Sequence, residues 1–266
     1  LYEEHIWGDI TKRDAVIFKN NDFEVFLKPS IIHTNYGELE INALGTVWDL
    51  LLNKPYRLGG KANTKWNIDN LKSDVYISGT INDPSDEDYY WSTEISIPLN
   101  EILEINGPDY KKVKSGDIWR ANFSRVQWEH DISNGKYSRK KENNKLKREY
   151  NWVWSRQGQI NMHIPENWGF IYFNDKNEIN TDFDLKIDIK TEQYGYALFE
   201  KIKYRELKYL NDKAIGERTQ LNAKSLRNNN ISAEFIKTKD GFLIKCKNQI
   251  DDFIYTINQE GIIKYE

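Results

Sequence analysis

One cysteine and one methionine in 266 residues leave this chain little soft-ligand chemistry. Cys246 has no partner for an intramolecular disulfide, and its place in the alternating stretch FLIKCKN reads as plain core packing. No run of about 18 apolar residues occurs, and patches such as Val47–Leu52 are interrupted by charge, which excludes a helical membrane span. Neither sign of charge dominates: 38 Lys and Arg stand against 41 Asp and Glu, so nucleic acid is not an expected partner. The chain also lacks G-x-S-x-G, a P-loop, G-x-G-x-x-G, H-E-x-x-H and C-x-x-C. Its four histidines, His5, His33, His130 and His163, are too scattered to form a ligand set by spacing, and structural roles are expected for them. The chain opens on LYEEHIW with no basic segment or apolar run ahead of it, which reads as a removed targeting segment or a fragment.

Tryptophan, by contrast, is abundant: nine are present, five of them in GDIWRANFSRVQWEH and REYNWVWSRQGQINMHIPENWGF. Rings this large either fill a core or face a flat apolar ligand. Residues 16–173 read as short strands separated by Gly, Pro, Asn and Asp clusters, the pattern of an antiparallel β-sandwich. Phe23, Val25 and Leu27 alternate on one face; Leu39, Ile41 and Ala43 oppose Glu38, Glu40 and Asn42; Trp91, Thr93, Ile95 and Ile97 oppose Ser92, Glu94 and Ser96. Such strands predict one face on a core and one in solvent, so Glu24, Glu38, Glu40 and Glu94 are expected to be solvated. The basic segment 136–148 reads as a solvated hairpin tip. From about Asp188 the spacing of Tyr194, Leu198, Ile202 or Phe199, Leu207 and Leu210 predicts one long amphipathic helix reaching Asp212. A polar connector, KSLRNNN, and two hairpins with Asp240-Gly241 and Glu260-Gly261 at their turns follow. The expected organisation is a sandwich over 1–174 and a C-terminal α+β extension over 175–266.

Trp152 and Trp154 are two apart, so on a strand they share one face while Asn151 and Val153 share the other. An exposed indole suits stacking on the C–H face of a pyranose, with Asn, Glu and Arg nearby for the hydroxyls. Trp91, Trp119, Trp48 and Trp168 read as core, Trp7, Trp66 and Trp128 carry no assignment, and Trp154 is the indole expected to touch sugar.

The strings RDAVIFKNNDFEVFLKP, YGELEINALGTVWDLLLNKPYR, GDIWRANFSRVQW and NWVWSRQGQINMHIPENWGFIYF, with the strand spacing that begins at Ile81, resemble the family 9-like carbohydrate-binding modules of bacterial cell-envelope and secreted proteins. The resemblance covers about residues 1–174. It implies an immunoglobulin- or jelly-roll-like sandwich of the DOMON kind, non-catalytic binding of polysaccharide or oligosaccharide chain ends in support of carbohydrate catabolism, structural calcium, and a secreted, periplasmic or envelope location. Carried over by position, it implies an aromatic clamp of Phe18, six residues before Glu24, and Trp154, three after Asn151; Phe18 stands where relatives carry Trp, and Glu24, Asn151 and Arg125 are expected to give hydrogen bonds. It also implies that strands preceding LYEEH are missing. The acidic loop NDPSDED offers hard oxygen ligands for calcium. The competing readings are a structural or interaction domain with a decayed sugar site, a glycoside hydrolase using two strand carboxylates, and a haem site using Met162 or His163. Oligomeric state is left open.

Overall fold

Period-two alternation produces the strands that it predicts. The computed structural model describes residues 1–30, 33–110, 112–175, 188–221, 231–249 and 252–265; the connector KSLRNNN lies outside them. The chain is mainly β and divides into two units: Leu1–Pro29, Asn35–Asn53 and Lys61–Phe173 form the first, and Ser30–Thr34, Lys54–Gly60 and Asn174–Glu266 the second.

The first unit contains β1 (Asp22–Lys28), β2 (Tyr36–Asn42), β3 (Val47–Leu52), β4 (Ala62–Asn63), β5 (Lys72–Ser78), β6 (Tyr90–Ser96), the short helix α1 (Leu99–Leu103), β7 (Ile118–Gln127), β8 (His130–Ser133), β9 (Lys136–Arg139), β10 (Lys141–Glu142), β11 (Lys145–Leu146), β12 (Tyr150–Val153) and β13 (Gly169–Tyr172). A seven-stranded antiparallel sheet runs β12-β7-β1-β2-β3-β4, and β13 pairs with the other end of β7. The β5–β6 hairpin is the facing layer of the sandwich, its Val75 and Ile95 packed with Val25, Leu39, Ile41 and Trp119. The basic segment forms the hairpins β8–β9 and β10–β11, where Lys140 and Lys147 pair with Glu129 at 3.4 and 2.5 Å.

Register sets Glu24 of β1 opposite Glu40 of β2 and Ser124 of β7. The alternation is as expected, but the solvated face is not. Glu24, Glu38 and Glu40 are buried along with their apolar neighbours, whereas Glu94 is exposed. The cause is a second cover: Ile17 and Trp168 close over this side of the sheet, packing with Phe26, Tyr36, Trp48 and Leu50. Both faces of β1 and β2 are therefore interior.

The second unit packs α2 (Ile189–Tyr204) on a five-stranded antiparallel sheet of β14 (Arg218–Leu221), β15 (Ile231–Thr238), β16 (Gly241–Asn248), β17 (Ile254–Asn258) and β18 (Ile263–Tyr265), in that order. Asp188 caps α2 by accepting from the backbone N–H groups of Lys190 and Thr191. Tyr194, Leu198, Phe199 and Ile202 meet Phe235, Ile244, Cys246 and Tyr255. Burial pushes the Cys246 thiol up to about 12, in keeping with packing rather than reactivity. The helix stops at Tyr204 instead of reaching Asp212: Arg205 leaves helical backbone at φ −131°, ψ −145°, and Lys208–Asp212 forms a separate 3₁₀ turn that buries Leu210. The segment Lys54–Gly60 joins this unit through buried Leu58 and an Arg57–Glu200 ion pair of 2.5 Å. Both turns predicted at Asp240-Gly241 and Glu260-Gly261 join the strands on either side of them.

Candidate functional site

β12 is an edge strand, and its pairing with β7 fixes where each side chain faces: Trp152 stands opposite Arg125, Asn151 opposite Val126 and Val153 opposite Ser124. Tyr150 and Trp152 thus share a face with Phe23, Phe123 and Arg125. Trp154 follows the end of the strand on that same face. Its N–H donates to the Phe123 carbonyl at 2.8 Å and its ring meets the Phe123 ring edge-on at 5.5 Å. Gly169 makes room for the indole, since a Cβ at that position would lie 2.3 Å from it.

The nine tryptophans separate by exposure. Trp7, Trp48, Trp91, Trp119, Trp128 and Trp168 are at most 9% exposed and Trp66 is half-buried, but Trp152 is 58% and Trp154 49% exposed. Leaving half an indole in water forgoes about 2–3 kcal/mol of burial. A fold that buries six of these rings leaves two adjacent ones outside on one face of one strand.

Beside Trp152 lies a cleft of about 490 Å³ lined by Leu1, Tyr2, Phe23, Arg125, Gln127, Tyr150 and Asn151. Its guanidinium is held: Arg125 donates to Glu3 Oε1 at 2.8 Å and to the Tyr2 carbonyl at 3.1 Å. Glu3 also accepts from Trp91 Nε1 and from the Asn21 amide, both at 2.8 Å, so it anchors the N-terminal segment. A second cleft of about 560 Å³ shares Tyr2, Gln127 and Tyr150 with the first and extends to His5, Glu129 and His130. Glu129 accepts from Tyr150 at 2.8 Å, and its bond from Lys147 holds its carboxyl down to about 2. Burial lowers His130, whose ring lies edge-on to His5 at 4.9 Å. Flat rings with N–H or O–H groups at their edges, next to a fixed guanidinium and an amide, can stack on a sugar ring and bind its hydroxyls.

The structure brings Trp154 and Arg125 to one face and leaves Phe18 and Glu24 on the opposite one, while Asn151 borders the cleft with its side chain turned away from that of Trp152. Phe18 stacks on Trp48 at 6.4 Å, donates its N–H to Glu40 and accepts from Trp128 Nε1 at 2.8 Å. Glu24 is 4% exposed on that side, and Asn151 directs its side chain there as well, its Oδ1 buried without a partner. The sheet itself stands between the two aromatic members of the expected clamp. The acidic loop satisfies its own backbone: Asp83 accepts from Ser85, Asp86 from Thr80 Oγ1 at 2.6 Å, and Asp88 from the N–H groups of Ile6 and Thr80 at 2.6 Å each. Met162 packs inside and His163 accepts from or donates to Tyr36 at 2.8 Å. The additional site residues are Tyr2, Tyr150 and Trp152; the period-two run from Tyr150 to Trp154 carries the signal for the last two.

No protein-family model matches the chain, and no curated protein matches it. Among solved structures the chain is similar to a protein of Bacteroides uniformis described provisionally as carbohydrate-binding, with 16% identity over 65% of this chain and 70% of that one and a TM-score of 0.44.

Proposed function

We propose that this chain binds carbohydrate without acting on it, stacking sugar rings on Trp152 and Trp154 while Arg125, Gln127 and the Tyr150 phenol meet the hydroxyls. One observation carries the reading: of nine indoles, these two stand about half exposed on one face, and Trp152 lines a cleft with polar groups at its walls. The order of motifs that resembles family 9-like modules supports it, and so does Trp154, the indole that resemblance singles out. The binding face is one-sided, because Phe18 lies across the sheet, and one-sided stacking favours weak, reversible association with an extended chain. A hydrolase needs two carboxyls about 5–9 Å apart that a substrate can reach. Here Glu24, Glu38 and Glu40 lie beneath the surface, which removes the most closely placed carboxylates from that role. A structural role finds support in Phe18, whose ring stacks on Trp48 and is 41% exposed on the other side of the sheet from Trp154.

Affinity electrophoresis in gels containing plant and bacterial polysaccharides tests this. Trp152→Ala, which deletes a ring that is mostly in solvent, is expected to lower retention at least tenfold, about 1.4 kcal/mol, with little change in thermal stability. Equal retention of parent and variant on every glycan that retards the parent would refute it.

A further inference from the structure

The covered face of the sheet holds four carboxyl groups, and none of them meets a cation among the described residues. Asp22 and Glu24 of β1 and Glu38 and Glu40 of β2 are all at most 4% exposed. Asp22 accepts from the Val126 N–H at 3.2 Å and Glu40 from the Phe18 N–H at 2.9 Å. The outer oxygens Asp22 Oδ2 and Glu24 Oε2 are sealed from solvent without a partner. Isolated buried carboxylates are costly, so such groups neutralise by protonation, by pairing or by binding a metal ion.

The spacing favours a cation. One carboxylate oxygen from each of Asp22, Glu24 and Glu40 can be chosen so that all three lie within 4.8 Å of one another. Buried carboxylates suit calcium, which takes several carboxylate oxygens in flexible geometry, better than magnesium, which keeps several of its waters. Independently, Glu38 stands two residues from Glu40 on the same face, and its Oε2 is fully buried with no partner. The Ser124 hydroxyl, opposite Glu24 in register, is a further buried oxygen.

We propose that Asp22, Glu24 and Glu40, with Glu38 beside them, hold one divalent cation of calcium's size between β1, β2 and the turn Ile17–Lys19. The ion joins two neighbouring strands to the turn that covers them, since Glu40 also receives the Phe18 N–H. It therefore braces the scaffold behind the aromatic face and is independent of whether that face binds sugar. The acidic loop at 82–88 is a separate candidate, and its Asp83, Asp86 and Asp88 carboxylates accept from Ser85, Thr80 and Ile6.

The test uses the full chain, stripped with chelator and followed by native mass spectrometry and thermal unfolding as calcium or magnesium chloride is added. One calcium per chain is expected, with magnesium weaker, and a hundredfold excess over Kd raises Tm by about 5–10 °C. Glu24→Gln and Glu40→Gln should each remove the bound ion and the rise, with the metal-free variants at least as heat-stable as the stripped parent. Asp86→Asn should retain both. If a glutamine variant does not fold, the calcium response of the parent decides. No stoichiometric calcium and an unmoved Tm in the parent overturn the proposal; so does calcium binding that survives both glutamine variants or disappears in Asp86→Asn.

Discussion

His163 is neutral in the folded protein because burial pushes its imidazole down to about 4, while its ring shares a 2.8 Å hydrogen bond with the Tyr36 hydroxyl. An unfolded histidine takes up its proton near pH 6.5. Between about pH 6.5 and 4 the unfolded chain thus binds a proton that the native chain refuses, so stability falls as pH falls through that window. The loss is on the order of 3 kcal/mol. Urea unfolding of the parent and of His163→Gln at pH 7 and pH 4 isolates this group, because the buried carboxyls are common to both. The variant should gain on the parent by about that amount on acidification; parallel pH profiles would contradict the assignment. At this same scale the sequence was legible for the rings and illegible for the acids. Trp48, Trp91, Trp119 and Trp168 sort to the core as their strand positions imply. Glu24 and Glu40 reveal only their shared face, because alternation says which side chains point together and nothing about what arrives to cover them.

Part of that cover, Trp168 with Met162, comes from a segment distant in sequence. The segment between β12 and β13 leaves the edge of the sheet, passes over its polar side with Met162 and Trp168, and returns to pair with the other end of β7. Strand alternation and turn residues reveal β1, β2, β6 and the two C-terminal hairpins, but a crossing of this kind leaves no periodic trace. Helix α2 shows the converse limit: its apolar spacing continues past Tyr204, although the backbone does not. Close approach also outweighs local preference within it. Alanine is a better helix former than glycine by about 1 kcal/mol, yet a Cβ on Gly195 would fall 2.4 Å from the Tyr255 ring. Gly195→Ala is therefore expected to destabilise the chain by about 1–3 kcal/mol in urea unfolding, with Tyr255 displaced. A stabilised variant would show that the helix and β17 can separate at no cost.

For the whole molecule, an antiparallel sandwich and a separate α+β unit follow from sequence pattern, while the proposed ligand face follows from which tryptophans remain outside. The resemblance pairs Trp154 with Phe18 as a clamp, and sheet register assigns those two residues to opposite sides. What is left is a single face carrying Trp152, Trp154, Tyr150 and Arg125. Nitrogen-15 labelling of the tryptophans tests that face most directly, since each of the nine indole N–H groups gives its own resonance, assignable by single Trp→Phe variants. Addition of a retained soluble oligosaccharide should shift the resonances of Trp152 and Trp154 and leave those of Trp7, Trp48, Trp91, Trp119, Trp128 and Trp168 in place. Shifts confined to the buried indoles, or no shift with any glycan tested, would contradict the account.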